Sequence, residues 1–466
     1  MKSLLLVPVF VSIAILTGCS SGNQDISVRQ ERDPFLDTLQ HRTFNWFWET
    51  TNPTNGLTPD RWPTRTFSSV AAIGFALTAY PIGVERAFVS RAEAADRVLS
   101  TMKFFWHAPQ SADPVKATGY KGFYYHFLHL DSGLRFKDVE LSTIDSGLLF
   151  AGMLFCQSYF DRDNEVERQI RVYADSIYTR ADWQWFQQRP PRLSMSWRPE
   201  QGFGRWDWSG YDEAMILYIL ALGSPTFPVE EEAWQQWTST YKWGEYYGRE
   251  FVNFGPLFGH QYSHCWIDYR GIQDDHMKGK GIDYFENSRR ATYTQRDYAI
   301  ENPRGFRDYS ADIWGLTACD GPGDTSFTVD NVGRSFKTYS ARGVSFDWSY
   351  DDGTIAPTAA GGSVAFAPEI CIPALKAIRA KYGSDVWREY GFIDAFNPTF
   401  VTNRTSPRGW FNEDYLGIDQ GPIVIMIENL RSGLVWDVMK RNPHIVRGLR
   451  RAGFAGGWLD ERPGVE

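Results

Sequence analysis

The sequence predicts an all-α protein, an (α/α)6 toroid of paired antiparallel helices with small β-hairpin or loop insertions at the cleft end. Three features predict it. Helices apolar on nearly every side alternate with helices carrying one apolar stripe, loops rich in Gly, Pro and aromatic residues join them, and acidic residues stand at the starts of the apolar ones.

Taken in order, the chain opens with one Lys, an apolar run from Leu4 to Leu16 and then Leu-Thr-Gly-Cys. That pattern reads as a lipoprotein signal peptide ending at Cys19, too short to span a bilayer. Cys19 is expected to carry acyl chains that anchor a soluble body to a membrane. Ser20 after the cysteine favours an outer-membrane or periplasmic location. Residues 20–33 read as a polar tether. Residues 34–460 are expected to form one barrel domain, beginning with Pro34 at the first position of a helix.

Val70 to Tyr80, Leu141 to Phe155 and Ala214 to Leu222 are apolar all round and are expected to be buried helices. Val166, Ile170, Tyr173 and Ile177 follow helical spacing among charged residues, which suits a covering helix. Tyr120 to Asp138 and Asp283 to Asn302 lack that periodicity and are expected to form hairpins over one end. Gln420 to Asn429 restores an all-round apolar helix.

Composition narrows the function. A net charge of −8 without any Lys/Arg cluster argues against a nucleic-acid partner and leaves a neutral polymer as the expected substrate. With 19 Trp, 23 Tyr and 32 Phe, the chain has aromatic surface to spare for stacking. Cys156, Cys265, Cys319 and Cys371 are scattered in apolar contexts, so buried thiols are expected and no disulfide framework. Nucleophile-elbow, phosphate-loop and dinucleotide motifs are lacking, and no cofactor is expected.

The most informative segment reads WDWSGYDEAMILYILALGSP from Trp206. It places Asp212 and Glu213 at the start of an apolar helix beside indole rings, the combination that sugar hydrolysis uses. The helix dipole alone also favours acids there. Glu213, directly before the apolar run, is the candidate general acid because burial raises a carboxyl pKa. Glu140 and Asp145 are the candidate bases, although about 140° of helical rotation would separate them. Asp212, Tyr211, Arg61 and Asp419 are expected to contact substrate. Trp206, Trp208, Trp266 and Trp410 sit in loop-like segments and are the stacking candidates. His260 and His264, four residues apart, are read as contacts to sugar hydroxyls and not as metal ligands, since the zinc-protease Glu is missing.

Several blocks then resemble one family: LDTLQHRTFNWFWETTNPTNGLTPDRW, ELSTIDSGLLFAG, YDEAMILYILALGSPTFP, FGPLFGHQYSHCWIDYRGI, GLTACDGP, DGTIAPTAAGGSVAFAPE and YLGIDQGPIVIMIEN. Together, over roughly Pro34 to Arg450, they are similar to the bacterial glucoamylase-like domain, which includes glycoside hydrolase family 144, the β-1,2-glucanases. The resemblance implies an (α/α)6 barrel and inverting hydrolysis of β-1,2-linked glucan, with Glu140, Asp145 and Glu213 around the cleaved bond. Related barrels occur in cyclic β-1,2-glucan synthases, so transglycosylation is an alternative. A glycan-binding lipoprotein without catalysis and a polysaccharide lyase are two others.

Overall fold

In the computed structural model, which describes residues 33–461, a circuit of six buried helices organises the chain. They are Val70–Glu85, Thr143–Tyr159, Met215–Gly223, Phe258–Trp266, Pro357–Gly361 and Gly417–Arg431. Val70–Glu85 packs on Thr143–Tyr159, which packs on Met215–Gly223, which touches Phe258–Trp266. Gln261 Nε2 of that helix donates to the Ala359 carbonyl, and Thr358 Oγ1 donates to the Asp419 carbonyl, linking Pro357–Gly361 to its neighbours on either side. Gly417–Arg431 closes the circuit on Val70–Glu85.

Longer, more polar helices cover this circuit, among them Pro34–Thr50, Arg91–His107, Glu165–Thr179, Tyr284–Glu301 and Pro368–Tyr382. Each presents a buried stripe inward, as Ile170, Ala174, Ile177 and Tyr178 do in Glu165–Thr179. One hydrophobic core runs from Phe35 to Leu459. Cys156, Cys265 and Cys371 are buried free thiols within it, and Cys319 is buried in a small separate cluster with Ala356 and Ala395. Cys19 lies outside the described residues. No helix among the described residues is long and apolar enough to cross a membrane.

The two ends of the circuit differ. The segment from Leu434 seals one end: Trp436 Nε1 donates to the His264 carbonyl, and Asn442 Nδ2 to the Leu154 carbonyl, both toward helix C-termini. The N-terminal residues Ala71, Asp145, Glu213, Phe258 and Ile418 open onto a common cavity. Short antiparallel strand pairs surround that opening, with Arg61–Trp62 against Tyr415–Leu416 and Ser68–Ser69 against Phe127–Leu128.

Two glycines allow Val70–Glu85 and Thr143–Tyr159 to approach closely. A Cβ on Gly74 would stand 2.2 Å from the Leu148 carbonyl oxygen, and one on Gly152 would stand 2.2 Å from the Gly74 carbonyl oxygen. Gly152→Ala must therefore push the two helices apart. It is expected to lower stability by about 1–3 kcal/mol, read as a lower denaturant midpoint; an unchanged midpoint would show that the interface gives way freely.

Two sequence expectations are corrected here. Asp283 to Asn302 is not a hairpin: Asp283 caps the helix Tyr284–Glu301, its side chain accepting from the Glu286 amide. The buried positions there do follow helical spacing, but Asn287, Ser288, Thr292, Thr294 and Gln295 occupy many of them, so no hydrophobic period is visible. Glu140 does not share a helix with Asp145 either. Leu141–Ser142 pairs as a strand with Ser196–Arg198, so the helix starts only at Thr143, with Ser142 as its N-cap.

Candidate active site

The cavity at the helix N-termini has a volume of about 400 Å³ and is lined by Asp60, Arg61, His126, Asp145, Glu213, Tyr262 and Tyr339, among others. A surface groove of about 500 Å³ lies elsewhere. Its Arg249, Arg289 and Arg290 are paired with Asp297, Glu369 and Glu286.

One wall carries Glu213, Asp145 and His126. Glu213 directly precedes the turn into Met215–Gly223, and its carbonyl accepts from Ser263 Oγ of the neighbouring helix at 3.1 Å, which fixes its place. Burial, with Asp145 adding negative charge nearby, pushes its carboxyl up to about 7. Asp212 does not line the cavity; its Oδ1 accepts from the Ala214 amide at 2.9 Å, and burial beside Glu213 raises its pKa.

His126 links the other two acids. Its Nδ1 lies 2.8 Å from Glu140 Oε1 and its Nε2 3.3 Å from Asp145 Oδ1. Burial opposes a charge on this ring, yet Asp145 and Glu140 together raise its pKa to about 9, so it is an imidazolium at neutral pH. Glu140 also receives Arg198 Nη2 at 2.8 Å. Although burial works against its charge, His126 and Arg198 bring it down to about 2. Both Glu140 oxygens are thus engaged behind His126, and Glu140 does not line the cavity. The sequence expected Glu140 beside the reacting bond; the structure places it against His126 and Arg198. Asp145 does line the cavity, and burial raises its pKa against the pull of His126 and Ser142.

His126→Gln is expected to cut kcat roughly 10–100-fold, the scale of losing a charged positioning contact. Without the imidazolium, and with the negative charge of Glu140 still nearby, the Asp145 pKa rises further. The acidic limb of the pH–rate profile then moves to higher pH. A proportional loss of rate with an unmoved limb would contradict this role.

Asp60 and Arg61 also line the cavity, and next to them lies a carboxylate cluster that sequence reading missed apart from Arg61 and Asp419. Arg61 bridges Asp60 at 3.1 Å and Asp320 at 2.7 Å. The Asp320 amide and Asn412 Nδ2 both donate to Asp394 Oδ2. Burial raises Asp394 to about 7, and burial beside Asp394 raises Asp419 well above the ordinary range. Asp394 Oδ1 and Asp419 Oδ2 are both buried without a hydrogen-bond partner, and the charge of Asp394 opposes ionisation of Asp419. Asp320 and Asp394 are single acids inside apolar runs (LTACDGP and GFIDAF), and that was their only signal.

The aromatic candidates fall elsewhere, because the core claims them. Trp208 is buried and its Nε1 donates to Thr143 Oγ1. Trp266 ends a helix rather than lying in a loop; it stacks on Phe75 and donates to Thr78 Oγ1. Tyr211 is buried, stacked on Tyr284. Trp410 packs partly buried against Phe336 and Phe400. Trp206 is 63% exposed, with the Arg205 guanidinium over its ring. None of these five lines the cavity. His260 and His264 are also core residues, bonded to the Phe254 carbonyl and to Ser288 Oγ, and burial lowers their pKa to about 4 and about 3. They are neutral and enclosed, so their expected contact with sugar is corrected. Among the described residues, no group of three or more His, Cys, Asp or Glu is placed to hold a metal.

The model of the Glycoamylase family, whose description is a glucoamylase, matches residues 205–443. The chain belongs to this family. A glucoamylase-like crystal structure from Bacteroides uniformis is 32% identical, superposes with a TM-score of 0.77, and the match covers 91% of this chain and 98% of that one. The endo-β-1,2-glucanase of Chitinophaga pinensis, solved with sophorotriose and glucose, is 27% identical with a TM-score of 0.78 over 91% of this chain and 99% of its own. An exo-β-1,2-glucooligosaccharide sophorohydrolase of Parabacteroides distasonis is 29% identical over 90% of this chain. The match spans 58% of that relative's length.

Proposed function

We propose that this member of the Glycoamylase family is a glycoside hydrolase that cleaves β-1,2-linked glucan with inversion, and that residues 34–460 form one (α/α)6 toroid around the cavity. The observation that carries the proposal is a carboxyl kept protonated near neutrality, Glu213, sharing a cavity with a second carboxylate, Asp145. The β-1,2-glucan specificity of the relatives from Chitinophaga and Parabacteroides supports the choice of linkage.

In this reading Glu213 gives its proton to the glycosidic oxygen as the C1–O bond breaks. Asp145 accepts a proton from the water that attacks C1 from the other face. The products are a new reducing end of inverted configuration and a sugar hydroxyl, and proton exchange with solvent resets both carboxyls. Inversion calls for about 6.5–9.5 Å between the two carboxyl groups, room enough for that water. Arg61, Asp60 and Tyr262 are placed to meet sugar hydroxyls, and Asp419 to act through Asp394. A second reading assigns the base to Asp419 beside Asp394, where burial and the neighbouring charge raise its pKa and so make it the stronger proton acceptor. Asp145→Asn and Asp419→Asn separate the two readings: the true base loses most activity even on an aryl sophoroside, whose departure needs no acid.

The test of function is incubation of residues 20–466 with linear β-1,2-glucan and with β-1,3-, β-1,4- and α-glucan controls, following reducing ends and product anomers. Cleavage of the β-1,2 polymer alone, with inverted product, is expected. Binding without cleavage would transfer the assignment to a glycan-binding protein, and an ultraviolet-absorbing product to a lyase. The reading extends to an outer-membrane lipoprotein anchored through Cys19, for which Cys19→Ser should release the protein from the membrane fraction.

A further inference from the structure

We infer that the hairpin tip carrying Phe346 and Trp348 is an accessory binding platform for the outer glucose units of a long β-1,2-glucan chain. The inference rests on the proposed β-1,2-glucan reading and extends it from the reacting bond to the polymer.

Ten large hydrophobic side chains are exposed among the described residues, and three of them, Tyr339, Phe346 and Trp348, lie on one ten-residue segment. Tyr339 lines the cavity. From it the chain runs through Ser340–Ala341, paired with Ala318–Cys319, into a hairpin in which Gly343–Val344 pairs with Ser349–Tyr350. Phe346 and Trp348 sit in the turn closing that hairpin, where the Ser345 amide donates to the Trp348 carbonyl at 2.8 Å. One connected element thus carries both the cavity residue Tyr339 and the two exposed rings of the hairpin turn.

The two rings are held as flat faces. A Cβ on Gly244 would meet the Phe346 ring at 2.6 Å, and one on Gly255 would meet the Trp348 ring at 2.7 Å. Each ring lies against backbone that lacks a side chain, and the exposures of Phe346 (38%) and Trp348 (45%) leave the remaining ring surface to solvent. The tip is tied down through Asp347, which receives Lys242 Nζ at 2.7 Å and also Asn253 Nδ2. Rigid aromatic faces bordered by polar groups suit the apolar face of a pyranose ring and its hydroxyl rim. A packed protein interface would instead bury such rings in a fitted pocket.

The experiment compares Phe346→Ala/Trp348→Ala with the unmutated protein on long linear β-1,2-glucan and on sophorotriose, with thermal melting to verify folding. The ratio of polymer kcat/KM to sophorotriose kcat/KM is expected to fall about tenfold, the size of two lost stacking contacts. Trp348→Tyr should restore most of it. In native gels containing β-1,2-glucan, a Glu213→Gln background should be retarded and the same background lacking both rings should not. An unchanged ratio with unchanged retardation would overturn the platform while leaving the hydrolase reading intact. If the unmutated protein neither cleaves nor is retarded by β-1,2-glucan, the hydrolase reading itself fails and the platform with it.

Discussion

Glu213→Gln is expected to lower kcat on β-1,2-glucan by about 10³-fold with little change in KM, because the amide keeps the shape of the side chain and loses the proton it gives. The loss should be far smaller on an aryl sophoroside. For the unmutated protein, kcat/KM should fall as pH rises through about 7, where Glu213 gives up its proton. Stability moves in the same direction. The folded carboxyl holds a proton near pH 7 while the unfolded one releases it near 4.5, so Glu213 destabilises the fold as pH climbs through that window. Glu213→Gln should accordingly melt higher than the unmutated protein at pH 8 and together with it at pH 4. Near-normal turnover in this variant would remove Glu213 from the mechanism.

Arg342→Met should cost about 3–5 kcal/mol of stability, read in denaturant unfolding. Arg342 and Asp352 are both fully buried, joined through Arg342 Nε and Nη2 at 2.8 Å each. The same guanidinium donates to the carbonyls of Cys319, Lys337, Thr338 and Ser340. Removing it leaves a charged Asp352 and several carbonyls without donors, which is far costlier than losing a surface pair. These carbonyls flank Tyr339, so the variant should also weaken glucan turnover at temperatures where it is still folded. A loss below about 1 kcal/mol would mean that water replaces the guanidinium at little cost.

Much of the scaffold was legible because burial imposes composition. A helix enclosed on all sides must be apolar all round, and Val70–Glu85, Thr143–Tyr159, Met215–Gly223 and Gly417–Arg431 announce themselves in that way. Tyr284–Glu301 was illegible because its inward stripe is built of hydrogen-bonding residues, such as Gln295, which bonds the backbone of Gly255 and Leu316. The site divided likewise. Glu213 and Asp145 could be read because each abuts an apolar helix. His126, Asp60 and Asp394 come from short strands and loops, where pairing between distant segments decides which way a side chain faces. Trp208 and Trp266 misled because an indole in a functional-looking segment can equally serve the core, and here their N–H groups find buried hydroxyls.

The Gly74–Gly152 contact locks the helices that present Asp145, whereas Phe346 and Trp348 ride on a hairpin tip remote in sequence from that contact. Chemistry and reach therefore occupy parts of the chain that can change independently. On the proposed reading, lengthening or trimming the hairpin would alter how a long glucan is held and leave the helix ends that carry Glu213 and Asp145 in place. Descendants of one such scaffold could diverge in diet without reinventing their reaction.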